Sequence, residues 1–438
     1  MNNREKAEQI FISGVRSVLP DNLINSIMSV EGSILKVGDL TFPLNEAGNI
    51  YVIGAGKASA AMAHYVEIIL GNRITEGHVI VKYGHSCKLK KIIVTEAGHP
   101  VPDINGIRGT EEIMKIARKS LENDLVICLI SGGGSALMAD IPEGCLPEEL
   151  IIVNNLLIRC GATINEMNCV RKHLSRVKGG QLSKTVWPAT IISIILSDVI
   201  SNPLDVIASG PTVPDSSTYG EALHILEKYH LTSDVTAGIL NYLREGADGN
   251  RPETSKPEDP LFSRTFNILA GTNSYALEAA REQAVNLGFN TFIITGELNG
   301  FTEDASRFIV ETALQYKYDD GINKPVCLLF GGETTVRVIG DGLGGRNQHL
   351  ALSAAIRLQD ITGITILSAG TDGTDGPTDA AGAVVDSETV AAARSVGADP
   401  AKYLFEFDSF NFFGSAGGRI KTGPTYTNVM DIIVVLIE

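Results

Sequence analysis

Tryptophan occurs once in this chain, aromatic residues make up only 6% of it, and its six cysteines (Cys87, Cys128, Cys145, Cys160, Cys169, Cys327) contain no C-x-x-C pair. Without paired thiols, neither a zinc knuckle nor a disulfide framework is expected, and a reducing cytoplasm suits the chain. Positive charge is scarce as well: 36 Lys and Arg stand against 51 Asp and Glu, a net charge of -15. Such a balance repels nucleic-acid phosphates and anionic membranes, so neither is expected as a partner, and any anionic ligand must be met by local cations. Apolar runs such as Leu125–Ile130 and Thr190–Leu196 fall far short of the ~18 residues that cross a bilayer. Near the N-terminus, Ala7, Ile10, Phe11 and Val15 recur at helical spacing, the pattern of a docking helix rather than a signal peptide. Also missing are a G-x-S-x-G elbow, an H-E-x-x-H helix and the H-R-D and D-F-G elements, which removes hydrolase, zinc-protease and protein-kinase chemistry.

What the chain does have is glycine, 45 residues against 17 prolines, placed where short β-branched runs end. NIYVIG, GHVIVK, KIIVTE, DLVICLI and TIISIILSD alternate with helical segments, which predicts a mostly parallel sheet with crossover helices. At 438 residues the chain exceeds the ~250–300 at which a single core stops growing, so two domains are expected. The polar, Pro- and Gly-rich stretch Arg244–Pro260 reads as a linker or surface loop. It separates a first domain at 1–243 from a second α/β domain at 261–438, whose terminal strand DIIVVLIE could pack back on the first.

Five motifs are placed to carry chemistry. In IYVIGAGKASAAMAHYV a strand runs into Gly54-Ala55-Gly56-Lys57 and then a helix, whose exposed N–H groups favour an anion. The third glycine of a dinucleotide fingerprint is replaced by Ser59, and the next strand ends in Lys82 instead of a ribose-binding acid; a Walker A loop fails at Tyr51 and Ala58. A lysine in a phosphate-suited turn remains, with a plain tight turn as the alternative. In LVICLISGGGSALMAD a buried strand opens into Ser131-Gly132-Gly133-Gly134-Ser135, where bare backbone allows a ligand close approach. Downstream, Arg171, Lys172, His173, Arg176 and Lys178 form a basic stretch that is expected to be solvated. Asp198 follows an apolar strand at its carboxyl end, where it suits magnesium or a hydroxyl proton, or a helix cap. LLFGGETTVRVIGDGLGGRNQ places Glu333 and Arg346 after glycine pairs, with TTVRV predicted as one strand of a hairpin between them. Finally, Asp372, Asp375 and Asp379 lie among glycines, as a hard-cation loop would need, although Asp-Gly pairs also serve as ordinary turns.

Taken together, GAGKAS, SGGGSAL, VRKHLSRVKGGQL, LSDV with SGPT, GGETTV with GGRNQ, and AGTDGTDGPTDAAGA resemble the glycerate 2-kinase family, whose second half is the MOFRL domain. The resemblance runs from about Ala7 to Leu436. It implies a Rossmann-like α/β/α first domain, a smaller mixed α/β second domain, and a cleft between them where ATP and D-glycerate meet. It further implies Lys57 and Arg346 as the catalytic cations, and Asp198 and Asp372 as the acids that share magnesium binding and proton removal. Gly54, Gly56, Ser131 to Ser135 and Glu333 are the expected nucleotide contacts, with Mg²⁺ or another divalent ion carried by ATP. Near the end, SAGGRIKTGPTYTNV is more glycine-rich than the family pattern, so no role passes to Arg419 or Lys421. The rival within small hydroxy-acid chemistry is an NAD(P)H-dependent hydroxypyruvate reductase, and the 2- or 3-position of the phosphorylated product is not written in any residue pattern. A homodimer is the default expectation for a soluble enzyme.

Overall fold

In a computed structural model that describes all 438 residues, Met1 to Glu438, the apolar runs become strands buried along their length. The first sheet consists of β4 (Ile50–Ala55), β5 (Ile74–Lys82), β6 (Ile92–Ala97), β7 (Leu125–Ile130), β8 (Thr190–Leu196) and β9 (Thr265–Gly271), after a small antiparallel sheet of β1 (Met28–Glu31), β2 (Ile34–Val37) and β3 (Leu40–Pro43). Every residue of β4 and of β7 is buried, as expected for parallel strands covered on both faces.

The order across this sheet is β6-β5-β4-β7-β8-β9, with parallel pairing from β6 through β8. Counted from β4, this is the doubly wound order 3-2-1-4-5-6, which reverses between β4 and β7. Ala55 pairs with Ile130, so the two strands end level and release their loops side by side. Such a reversal point is where open α/β sheets bind ligands. Alongside stands a helical group, Pro147–Arg159, Ile164–His173, Tyr219–Lys228 and Ala237–Ala247, with its own apolar core around Leu157, Val170 and Leu243.

The chain divides into a unit of Leu23–Ala270 and a second of Met1–Asn22 with Gly271–Glu438. This differs from boundaries drawn at Arg244–Pro260. That stretch is instead threaded through the first unit: Ser255 is fully buried, its N–H donates to Gly179 O and its carbonyl accepts from Asp215 N. The sixth strand of the first sheet lies beyond it, at β9.

The second sheet is mixed, with β10 (Asn290–Leu298), β11 (Val326–Gly332), β12 (Ile364–Gly370), β13 (Gly382–Asp386), β14 (Arg419–Ile420) and β15 (Asp431–Ile437) in the order β10-β11-β15-β12-β13-β14. The terminal strand β15 therefore lies inside its own unit, antiparallel to both β11 and β12. The helix Asn3–Ser17, reciprocally capped by Asn2 and Glu5, docks on this same unit. Gly14 permits the contact, since a Cβ there would stand 2.8 Å from Ala276 O. No hairpin forms between Glu333 and Arg346: only Thr335 makes an isolated bridge, with Phe301. The segment spends its hydrogen bonds elsewhere, Gly342 N donating to Glu406 O and Leu343 N to the Asp408 carboxylate.

Candidate functional site

At the reversal point of the first sheet, the loops leaving β4 and β7 are stitched together. Gly54 and Gly56 carry no side chain because a Cβ would meet Leu129 O and Ser131 Oγ, each at 2.1 Å. Gly56 N donates to Ile80 O (3.0 Å), Lys57 N to Gly132 O (2.9 Å) and Ala58 N to Ser131 Oγ (2.9 Å). Ser59, the residue that replaces the third fingerprint glycine, donates its hydroxyl to Leu129 O at 3.0 Å. The backbone donors of Gly56, Lys57 and Ala58 are thus consumed by the protein, and what these three residues offer outward is the Lys57 side chain.

The free donors lie on the neighbouring loop. Gly132 and Gly133 N–H groups have no acceptor within the protein, and Gly133 takes a left-handed φ of 83° that glycine tolerates without strain. A Cβ on Gly132 would fall 2.0 Å from Asp198 Oδ2, and one on Gly133 would fall 2.8 Å from the His99 ring. The glycines therefore bring the Asp198 carboxylate and the His99 imidazole directly against the loop. Ser135 Oγ lies 2.8 Å from Ser209 Oγ, whose hydroxyl reaches Asn168 Oδ1. Asp198 opens a loop in which Ser201, Asn202, Ala208 and Ser209 all have positive φ. Non-glycine residues pay on the order of 1–3 kcal/mol each for such conformations, which concentrate at functional sites.

Several participants escape a motif search. His99 is pushed down to about 4, first by burial and then by the charges of Lys57, Lys82 and His85, so its ring is neutral at physiological pH. The His85 ring nitrogen Nδ1 sits 3.2 Å from Lys57 O. A histidine followed by two prolines, as in GHPVP, was the signal available for His99. The basic stretch, expected on a solvated face, supplies buried cations instead: Lys172 bridges Asp215 (3.3 Å) and Asp205 (3.4 Å), and Lys178 Nζ donates to Met138 O (3.0 Å).

In the other unit, Arg346 is the first residue of the helix Arg346–Arg357. Its Nε and one terminal nitrogen grip Asp431 at 2.6 and 2.9 Å, and its other terminal nitrogen meets Glu333 at 2.8 Å. Burial opposes this charge, yet the two carboxylates hold the guanidinium firmly protonated. Asn347 adds a bond from Nδ2 to Asp431 Oδ1 at 2.9 Å.

The three aspartates of the glycine loop do not converge. Asp372 makes an Asx turn, accepting from Thr374 N at 3.0 Å, and the exposed Asp379 pairs with Lys421 at 2.7 Å. Asp375 caps the helix start from outside it, accepting from Asn347 N (3.0 Å) and Gln348 N (2.8 Å). Burial pushes Asp375 up to about 6; the bonds from Gln348 and Asn347 pull the other way and the charge of Asp431 adds to the rise.

For an acid raised in the folded state, ionisation works against folding. Asp375 thus contributes stability that is lost as pH climbs from its unfolded value near 4 through about 6, and the loss is complete above that. Asp375→Asn should gain on the parent by on the order of 3 kcal/mol between pH 4 and pH 7. Urea unfolding at both pH values measures the difference; a constant gap between variant and parent would contradict it.

No helix is long and apolar enough to cross a membrane. Residues 6–244 match a family described as Domain of unknown function (DUF4147), and residues 326–431 match the MOFRL family. The D-glycerate 2-kinase of Thermotoga maritima is 41% identical over 439 residues, covering 99% of this chain and 98% of that protein. A crystal structure of glycerate kinase from the same organism superposes with a TM-score of 0.89 at 40% identity, covering 99% of each chain. A protein of Agrobacterium vitis named putative hydroxypyruvate reductase is 37% identical, over 96% of this chain and 94% of its own length.

Proposed function

We propose, from the premise that this chain belongs to the glycerate 2-kinase family with its MOFRL second half, that it transfers the γ-phosphoryl group of ATP in line to the 2-hydroxyl of D-glycerate. The observation that carries this is the gathering of Lys57, the free N–H groups of Gly132 and Gly133, and the Asp198 carboxylate at the reversal point of the first sheet. Phosphoryl transfer asks a protein chiefly for positioning and charge neutralisation, and these groups supply both.

Lys57 meets the phosphoryl oxygens as charge builds on them, while Gly132 and Gly133 N–H groups hold a phosphate or the glycerate carboxylate. The bond from the glycerate oxygen to phosphorus forms as the bond to the ADP oxygen breaks, and Asp198 accepts the hydroxyl proton. In its own unit, Arg346 keeps N–H groups that Asp431 and Glu333 leave unused and that suit an anionic oxygen. Asp372, with Oδ1 already accepting from Thr374, has the lesser part.

No group of three His, Cys, Asp or Glu side chains is arranged to cage an ion. A magnesium ion would arrive on the nucleotide and be carried largely by its phosphates, Asp198 being committed to the hydroxyl proton. Such an ion would supply charge neutralisation to the transferring phosphoryl group.

Hydroxypyruvate reduction, the activity named for the Agrobacterium relative, is disfavoured by the occupied donors at Gly56, Lys57 and Ala58, the turn where a dinucleotide fingerprint would receive the pyrophosphate. Purified protein with ATP, Mg²⁺ and D-glycerate should release ADP and phosphoglycerate, whereas NADH with hydroxypyruvate should stay unchanged. NADH loss without ADP formation would overturn the kinase assignment, and phosphorus NMR of the product separates the 2- from the 3-phosphate. Gly132→Ala drives a methyl into the Asp198 carboxylate. It should lower kcat/KM by about 100-fold, the scale of an ångström's misplacement, with little change in Tm; wild-type kinetics would remove Asp198 from the site.

A further inference from the structure

Within the unit Leu23–Ala270 a cavity of about 740 Å³ opens from the glycine loop, with His99, Gly133 and Ser135 at one wall and the helices Pro147–Arg159 and Ile164–His173 at another. Most of its lining is apolar: Ile104 and Ile107 come from the start of the helix Ile104–Lys119, and Leu150, Ile151 and Ile158 face in from the helical group. Ile104 and Ile158, 52% and 59% exposed, would be costly ornaments on an empty surface and cheap ones under a flat apolar ligand.

The cavity also holds cations. Arg171 uses only Nε within the protein, donating to Asn154 Oδ1 at 2.6 Å, and no carboxylate pairs with it. Asn154 is itself fixed by a bond from Nδ2 to Leu150 O at 2.9 Å. Burial lowers the pKa of Arg171 with no acid to offset it. A mostly desolvated guanidinium with its terminal N–H groups unclaimed is unfavourable unless an anion arrives. Lys178, also on the wall, is by contrast tied to Met138 O and lies near Asp140.

We propose that this cavity takes the adenosine end of the nucleotide, with the purine against Ile104, Ile107, Leu150 and Ile151, and the phosphates running past Arg171 to the glycine loop at Gly133 and Ser135. A three-carbon hydroxy acid has neither the volume nor the apolar surface to occupy such a space; a purine nucleotide has both, and an anionic tail besides. The assignment rests on ATP being the donor, as proposed above, and adds where its base sits.

Two variants test it by separate routes. Ile104→Trp fills the mouth from a half-exposed position that the core does not need, and Arg171→Met removes the cation while keeping an apolar stem. Calorimetric titration with ADP should show each binding about tenfold more weakly or worse than wild type. In steady state, KM for ATP should rise by the same factor while KM for D-glycerate stays within about twofold. ADP affinity unchanged in both variants of an active kinase overturns the cavity assignment and leaves the kinase standing. A shift in KM for D-glycerate in place of ATP overturns it too. Weakened ADP binding in a protein that makes no phosphoglycerate sustains the cavity assignment and removes the kinase.

Discussion

Lys57→Ala should cut glycerate-dependent ADP release by roughly 10²–10³-fold, the usual cost of deleting one preorganised charge from a transition state. The magnitude follows from what the turn has left to give. Gly56, Lys57 and Ala58 N–H groups are committed to Ile80 O, Gly132 O and Ser131 Oγ, so no backbone donor there can stand in for the missing ammonium. The same commitments predict that the fold survives, because the backbone stitch between the two loops does not involve the Lys57 side chain. Unchanged Tm with collapsed kcat is therefore expected, and Lys57→Arg should recover part of the rate, since a guanidinium keeps the charge but not the point geometry. Near-normal turnover in Lys57→Ala would take the residue out of the chemistry.

The parallel sheet was legible in the sequence because parallel strands covered on both faces must be nearly continuous apolar runs, and IYVIG, LVICLI and TIISIIL come close to that. Its sixth strand was not. RTFNILAG alternates no more clearly than its neighbours, and the polar stretch before it has the composition of a linker although Ser255 is buried and bonded on both sides. Composition reports what a segment could do in water; it does not report which backbone donors lie opposite. The same limit explains the basic stretch, where Lys172 and Lys178 gain buried partners in Asp215 and Met138 that are distant in sequence. Gly132 and Gly133 were readable as a point of close approach because three consecutive glycines forfeit stability without one, and a Cβ on either would meet Asp198 or His99. His99 was not, since its meaning depends on Lys57, Lys82 and His85 gathering around it.

Asp431 is the clearest residue that no motif announces, and Asp431→Asn carries the second large expectation. The residue opens β15, is 2% exposed, and binds Arg346 through both oxygens while also accepting from Asn347. An amide at that position keeps one acceptor and turns a donor toward the guanidinium, so the fork is broken and a largely buried charge is left to Glu333 alone. Breaking one side of a buried pair costs about 3–5 kcal/mol, and the partial exposure of Arg346 places this case at the lower end, about 3 kcal/mol. The variant should also slow turnover, because Arg346 then lacks the partner that aims it. A second readout separates this positioning role from mere destabilisation. Asp431 is one of the charges that raises Asp375, so removing it lets Asp375 fall back toward the ordinary carboxylate range. The stability that wild type loses as pH rises toward about 6 should shrink in Asp431→Asn, and urea unfolding across pH 4 to 7 will show it. A variant as stable as wild type, with the pH profile unmoved, would mean that Arg346 finds another anchor and that the fork at β15 does not set its position.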